Sequence, residues 1–370
     1  MLEEAVLRYY EYASGRKRIP FLAERTGISA RGLGKGLKKG LRESTISRAR
    51  RHSEENVRDQ LRQCQFSEDE ISAWISGHPG TLTAGMIYET EVQGLIEFPL
   101  TMALARRIDE LGIALISARQ SDDFAKAKTT LLDTDWLHSP HFSNNYDEAS
   151  DACPELLRQA QSASVWSELE KPAAGAAANL LFSLLAQWDI EFQSLYLRQM
   201  QRRPVFSLLL PLADIERVQA NPRGREPIRF PVSRLIDLLY AMHHRHRYCR
   251  WPDTRPGLKD LVPVCNESET NLVNWRDGTK HLSLKNFEQL RQAFFVPPKD
   301  SCPPPIMPLY VAAALFQVLL VKVDTAKRGK QIRLHNEEYL YWWNEHLQRM
   351  KQAGGVVSGD TPWPAWLSEP

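Results

Sequence analysis

The sequence predicts an all-α protein built around a multi-helical body. Apolar residues recur at helical spacing along most of the chain, as with Leu2, Ala5, Val6 and Tyr9 near its start. The alternation of apolar and polar residues that marks strands is scarce, and only residues 205–210 suggest a short strand. The composition, 43% hydrophobic and 25% charged, is that of ordinary globular proteins rather than of disordered or collagen-like chains.

A chain of 370 residues is long enough for two or three domains, and clusters of Pro and Gly suggest where they meet. The clearest breaks are the stretch 220–227, which reads ANPRGREP, and the six prolines of 297–308. We therefore divide the chain into a basic helical unit at 1–65, a helical body with an acidic first part at 66–222, a helical domain at 228–296, C-terminal helices at 305–354 and a loose tail at 355–370.

The charges are segregated along the chain although the net charge is only +2. Residues 1–65 hold 15 Lys and Arg against 8 Asp and Glu, a balance of +7. Residues 66–160 hold 6 against 16, a balance of −10, and residues 201–256 return to 11 against 5, or +6. Basic blocks favour phosphate backbones, and an acidic block favours a basic partner, unless both are only solvated helix faces.

Several classes of protein are excluded by simple absences in the sequence. The five cysteines are widely spaced and contain no CxxC pair, which argues against a zinc ribbon or a disulfide scaffold and fits a reducing compartment. The longest apolar stretch, 173–188, is shorter than the roughly 20 residues that span a bilayer. We therefore expect a soluble, cytoplasmic protein with no membrane partner. No cofactor or bound metal is expected, because the sequence contains no GxSxG, HExxH, Rossmann or kinase signature, and no small-molecule substrate is identified.

In the first half, a short helical segment is predicted at 19–26 and a charged helix at 47–64. Ser67 and Glu70 have the spacing of a capping box, in which each side chain bonds a free amide at a helix start. Residues 84–118 predict two helices that are separated near Pro99, and residues 134–151 predict a loop.

In the second half, residues 154–201 are strongly helical, with a buried centre that includes Leu180 and Leu184. Further helices are predicted at 231–247, 306–323 and 337–351. The last of them carries four aromatic residues on more than one face, so that part is expected in the core and the rest at a protein interface: Tyr339, Tyr341, Trp342 and Trp343.

The segment 256–294 has the pattern of two short helices joined by a tight turn. Leu258 and Leu261 supply the packing side of the first helix, although Pro263 removes a hydrogen bond from it unless the helix begins late. Asn266 suits a turn that needs positive φ, and Ser268 suits the N-cap of the second helix. The buried edge of that second helix is predicted at Leu272 and Trp275, and Ser283 is predicted to start the next helix.

Three motifs carry a family resemblance: Asn266-Glu267-Ser268, Asn274-Trp275-Arg276-x-Gly278 and Ser283-Leu284-x-x-Phe287-x-x-Leu290. With residues 231–247 as its first helix, this segment resembles the helix-turn-helix domain of Cro-like phage repressors over about residues 231–292. The resemblance implies a recognition helix at 268–276. It also implies groove contacts by Ser268, Glu269, Thr270, Asn271 and Asn274, and a phosphate contact by Arg276 or Lys280. Arg245 and Arg247 are predicted to contact phosphates on a separate ground, because they lie at the basic end of the helix predicted at 231–247.

A second, helix-turn-helix-like unit is predicted at the N-terminus, where residues 22–29 repeat the Leu-Ala-x-x-x-Gly-Ile-Ser rhythm of such first halves. The recognition helix should follow, but the stretch contains four glycines between 32 and 40, each of which costs a helix about 1 kcal/mol relative to Ala. The stretch attracts phosphates either as a recognition helix or as a loop that orders on binding, through Arg31, Lys35, Lys38 and Lys39.

Two clusters of potential ligand residues resemble metal-binding sites. His243, His244, His246 and Cys249 lie together at a predicted helix end, but interleaved arginines favour a basic, phosphate-facing helix end over zinc. Asp133, Asp135, His138 and His141 lie in a polar loop, where such residues often gather by chance.

The sequence therefore favours a non-enzymatic DNA-binding protein, a transcription regulator or a DNA-targeting subunit of a larger bacterial or mobile-element complex. DNA and RNA are not distinguished at this stage. One alternative is a helical scaffold that binds proteins, or a copy of itself, through its acidic middle and its aromatic C-terminal helix. Another is a metal-dependent hydrolase built on Asp133 and its neighbours. A third alternative for residues 256–294 is a helical hairpin packed for its own sake, with Trp275 as core.

Overall fold

The described part of the chain is helical throughout. A computed structural model describes residues 20, 23, 26–39, 42–63, 65–77, 82–94, 97–132, 167–196, 204–212, 215, 230–295, 306–320, 325–354, 364 and 366. Within these ranges the chain forms thirteen α-helices and one 3-10 helix, and no strand. The prediction of an all-α, multi-helical protein is confirmed.

Six of the described helices lie in the first part of the chain. They are α1 (Ala30–Lys39), α2 (Glu43–Gln63), α3 (Glu68–Gly77), α4 (Leu82–Gly94), α5 (Pro99–Gln120) and α6 (Phe124–Leu132). The predicted capping box is present at the start of α3, where the Ser67 backbone N–H donates to Glu70 Oε2 over 2.8 Å. The predicted break at Pro99 is also confirmed, because α4 ends at Gly94 and α5 begins at the proline.

The other seven helices within the described ranges follow. They are α7 (Ser167–Tyr196), α8 (Pro231–Tyr248), α9 (Leu258–Cys265), α10 (Glu269–Arg276), α11 (Leu284–Phe294), α12 (Met307–Leu320) and α13 (Thr325–Gln352). The prediction of a strand at 205–210 is wrong, because Phe206–Leu209 forms a 3-10 helix. Its Phe206 and Leu209 side chains are both buried. The periodicity of a short apolar run that is buried on all sides does not distinguish a strand from a helical turn.

Two helices form the centre of the core. The middle of α7 is buried on every face, including Leu180 and Leu184 as expected, and α7 packs against α5, α12 and α13. The side chains of residues 306–318 are likewise all buried, because α12 lies among α4, α7, α8, α13 and the 3-10 helix. One continuous cluster of buried apolar residues, from Val57 to Leu347, therefore crosses the boundaries drawn from the sequence.

Buried carboxylates join these helices. Glu191 on α7 accepts hydrogen bonds from the backbone N–H groups of Leu100 (2.8 Å) and Thr101 (2.7 Å), and so caps the start of α5. Asp189 accepts from the Phe206 N–H over 2.9 Å and from the Tyr339 hydroxyl, which ties α7 to the 3-10 helix and to α13. Burial raises the pKa of Asp189 to about 6, against the opposing effect of these hydrogen bonds.

Some sequence predictions lie outside the described residues. These are the helix at 2–10, the loop at 134–151 with Asp133, Asp135, His138 and His141, the first part of the helix at 154–201 and the boundary at 220–227. The prediction of a loose tail at 355–370 is wrong at two positions, because Pro364 is buried and Trp366 packs against the core. The aromatic set of α13 is mostly core: Tyr339, Trp342 and Trp343 are buried, and Tyr341 is half-buried.

Candidate nucleic-acid interface

The predicted helix pair exists and is packed on α8. Helices α9 and α10 contact each other, α10 packs against α8, and α11 packs against both α8 and α9. Helix α9 begins at Leu258, so Pro263 lies inside it rather than before it. Because Pro263 is exposed and lacks an N–H, it removes only the bond that would otherwise reach the Lys259 carbonyl.

The turn between α9 and α10 has the predicted geometry. Asn266 ends α9 in the left-handed conformation, with φ +52°, which Asn tolerates better than most residues. Ser268 is the N-cap of α10, and its hydroxyl accepts the Asn271 backbone N–H over 3.2 Å. The half-buried Glu267 accepts a hydrogen bond from Asn271 Nδ2 over 3.1 Å, which explains how a charged residue occupies this turn.

Helix α10 has one buried edge and one exposed face. Leu272 and Trp275 are buried against the core, as predicted. The exposed face carries Glu269 and Thr270, with Asn271 and Asn274 half-buried beside them. A short polar helix that starts at a sharp turn and shows side chains to solvent is the arrangement that a groove-reading helix requires.

Val273 belongs to this exposed face and was missed by sequence reasoning. Its side chain is 39% exposed between Thr270 and Asp277, which are also exposed. The helical period contains the signal, because Val273 lies opposite the edge that Leu272 and Trp275 define. An exposed apolar residue among polar ones suits contact with a thymine methyl group.

Arg276 does not join the exposed face, and its assignment as a phosphate contact is wrong. Its guanidinium is only 13% exposed and lies 3.3 Å from Oδ1 of the fully buried Asp237 on α8. Arg255 pairs with the other oxygen of Asp237 over 2.5 Å. Two guanidinium groups therefore share one buried carboxylate, and Arg276 holds the end of α10 against α8.

The turn after α10 is held by α12. Gly278 has φ +75°, and a Cβ atom at this position would lie 2.7 Å from the Phe230 ring, so only glycine fits. The Tyr310 hydroxyl donates to the Leu282 carbonyl over 2.9 Å, and Tyr310 stacks on Phe287 of α11. Ser283 caps α11 as predicted. Lys280 is exposed in this turn, where a phosphate can reach it.

The C-terminal end of α8 is basic and exposed. Arg245 and Arg247 lie in its last turn, and both side chains face solvent. His243 and His244 instead bond the backbone carbonyls of Phe294 and Arg250, and burial lowers the pKa of His243. Within the described residues no group of three potential metal ligands converges, here or elsewhere.

The N-terminal unit has the same turn geometry. Gly27 has φ +62°, Ser29 accepts the Gly32 backbone N–H over 3.2 Å, and α1 follows directly. The glycine-containing stretch is thus a helix rather than a loop, with Leu33 buried beneath it. Arg31 and Lys35 are exposed on α1, and Lys38 and Lys39 lie in its last turn with side chains outside the described residues.

Comparisons with known proteins give no relatives. No protein-family model, no curated protein and no solved structure matches this chain. Among the described helices, none combines the length and the apolar character needed to cross a membrane.

Proposed function

We propose that this protein binds double-stranded DNA without enzymatic activity, as a regulator or a DNA-targeting subunit, and that α10 enters the major groove. One observation carries the proposal. A helix capped by Ser268 follows a left-handed turn, packs on α8 by one edge and exposes short polar side chains on the other. An α-helix fits the major groove of B-form DNA, whereas the major groove of RNA is too deep and narrow to read.

The exposed side chains of α10 match the chemistry of base edges. Asn271 uses one amide hydrogen on Glu267, and its second hydrogen and its oxygen are left to pair with adenine. Thr270 can donate or accept a hydrogen bond, and Glu269 can accept one from cytosine. Val273 adds an apolar surface for thymine. These four side chains would supply sequence readout.

The affinity would come from elsewhere, because α10 is not a cationic helix. Glu269 and Asp277 are exposed carboxylates on it, and Arg276 is engaged with Asp237. Exposed cations lie instead at Lys280 and at the end of α8, and others lie on α1 in the N-terminal part of the chain. Non-specific binding by these cations would decrease steeply as the salt concentration rises.

The test is selection of a preferred duplex from a random library with the full chain, followed by anisotropy titration. Replacing Thr270 or Asn271 by Ala should weaken binding to the selected duplex about tenfold or more, with little change on unrelated duplexes. Ser72→Ala, at an exposed position of α3, is the matched control and should change neither. Failure to enrich any sequence, or tighter binding to duplex RNA, would overturn the proposal.

One observation favours a second candidate function, the docking of a protein partner. A groove of about 500 Å³ lies between α5, α7 and α13, and it exposes Leu100 (58%) and Leu195 (47%) beside Arg107 and Arg349. Its apolar floor and basic rim suit an amphipathic helix with carboxylates along its edges. Leu100→Glu should abolish capture of such a peptide, and unchanged capture would overturn this candidate.

A further inference from the structure

The C-terminal end of α8 forms a surface that base reading by α10 does not use. We name it the Tyr248 surface, and it consists of His244, Arg245, Arg247, Tyr248, Arg250 and Trp251. Residues 245–250 are exposed without interruption, and Tyr248 is 55% exposed. Large apolar side chains with more than a third of their surface exposed are few in the described part of the chain, so this ring requires an explanation.

Aromatic rings form a ladder that leads to Tyr248. Tyr240, His244 and Tyr248 follow one another at intervals of four residues and so share one face of α8. The His244 ring centroid lies 6.2 Å from that of Tyr240 and 4.7 Å from that of Tyr248. His244 Nδ1 donates to the Arg250 carbonyl over 2.9 Å, which fixes the middle ring. The ladder leaves one ring, that of Tyr248, open to solvent.

Within the part of the chain that the structure describes, the cations beside the ladder are not paired with carboxylates. The guanidinium carbon of Arg245 lies 4.5 Å from the centre of the Trp251 ring, and that of Arg247 lies 5.6 Å from the centre of the Tyr248 ring. Among the described residues, none of Arg245, Arg247 and Arg250 forms a salt bridge. Their charges are therefore available to an anionic ligand.

The backbone that carries Trp251 is held in place. Cys249 ends α8 with φ +55°, and the chain then passes through the buried Pro252. The Trp366 indole N–H donates to the Pro252 carbonyl over 3.1 Å. Aromatic and cationic groups on a fixed backbone lose little entropy when they bind a ligand.

We infer that the Tyr248 surface binds single-stranded nucleic acid, with an unpaired base stacked on Tyr248 and its neighbouring phosphates beside the three arginines. Stacked rings interleaved with cations are the arrangement by which proteins hold unpaired bases, because every base has a face to stack. The inference rests on the proposed function for the class of ligand, but it concerns a separate surface and a separate form of nucleic acid.

The Tyr248 surface lies further along α8 than the residue that anchors α10. Tyr248 lies eleven residues after Asp237, where α10 is anchored, which is about 17 Å along α8. That length corresponds to about five nucleotides of a stacked strand. We expect a junction between duplex and single strand to engage both surfaces.

The experiment compares three labelled probes with the full chain: a blunt duplex, the same duplex with a thymidine overhang of about 12 nucleotides, and that overhang alone. The wild-type protein should bind the overhang duplex about tenfold more tightly than the blunt one. Tyr248→Ala should remove this difference, and Tyr248→Phe, which keeps the ring, should preserve it. Because Tyr248 is exposed, neither variant should change the melting temperature.

The outcomes separate this inference from the proposed function. The affinity of the α10 variants for the blunt duplex tests the proposed function alone. The difference in affinity between the overhang duplex and the blunt duplex tests the Tyr248 surface alone. Equal binding of both duplexes by the wild type, or equal effects of Ala and Phe at Tyr248, would overturn the inference. It would also be overturned if Tyr248→Ala released the protein from vesicles of phosphatidylcholine and phosphatidylserine while oligonucleotide binding stayed unchanged.

Discussion

Residues 27–33 and residues 266–272 share a backbone design and differ in the surface that they present. Each begins with a left-handed residue, Gly27 or Asn266, and each has a serine cap two positions later, with a bond of 3.2 Å in both. Each then buries a leucine four positions after the cap, Leu33 or Leu272. The N-terminal helix exposes Arg31 and Lys35, whereas α10 exposes Glu269 and Thr270.

On the proposed function, this difference predicts separate roles for the two units. A cationic helix attracts any phosphate backbone and cannot tell one sequence from another. A neutral or acidic polar helix gains little from phosphates but can discriminate base edges. We therefore expect α1 to contribute affinity and α10 to contribute specificity.

The largest expected effect is on the anchor that only the C-terminal unit has among the described residues. Asp237→Asn leaves the guanidinium groups of Arg255 and Arg276 partly buried without their carboxylate, at a cost of about 3–5 kcal/mol. Denaturant unfolding of the full chain should register the loss. The isosteric change keeps the packing, so an unchanged free energy of unfolding would show that the ion pairs do not hold α10.

The next effect compares Gly27 and Gly278, the glycines with positive φ in the two units. Gly278→Ala should destabilise the fold by about 1–3 kcal/mol or more, because strain is added to a Cβ contact of 2.7 Å with the rigid Phe230 ring. Gly27→Ala should cost less, about 1 kcal/mol, since its nearest neighbour lies 3.1 Å away in the His52 ring. Thermal unfolding measures both losses of stability. A larger loss for Gly27→Ala than for Gly278→Ala would contradict the assignment of the closer contact to Gly278.

The two serine caps should be equivalent. Ser29→Ala and Ser268→Ala should each reduce the free energy of unfolding by about 1 kcal/mol, because each removes one bond to a helix N–H. Asp at either position keeps an acceptor and serves as the control. A loss confined to Ser268→Ala would mean that α1 adds nothing to the stability that the assay detects.

The smallest effect distinguishes affinity from specificity. Arg31 and Lys35 should both be replaced by Gln. The slope of the log binding constant against the log salt concentration should then become less negative by about 1.8, which is the value for two lost phosphate contacts. The reduction should be equal for all duplex sequences in anisotropy titrations at several salt concentrations. A reduction restricted to one sequence would instead place base reading on α1.

Local features of the candidate site were predictable from the sequence, and long-range ones were not. Asn266, Ser268 and Ser283 act within three or four residues of themselves, so turn and cap chemistry identified them. Arg276 was misassigned because its partner Asp237 lies 39 residues away, and a charged residue on a helix gives no sign of which carboxylate it meets. Helix α1 forms despite its glycines, in part because Ile28 and Leu33 are buried.

The contacts of Trp366 have a consequence for how this chain is made. Its indole N–H bonds the Pro252 carbonyl, and its own carbonyl accepts from Arg234 Nη1 over 3.4 Å, across 132 residues of sequence. Tyr310 and Gln317 of α12 also contact the unit that contains α8 to α11. When translation has reached residue 295, the residues that contact this unit from α12 and from the C-terminal segment have therefore not yet been synthesised. The final packing of the unit must follow translation of the C-terminal segment, and a fragment ending at residue 295 would lack these contacts.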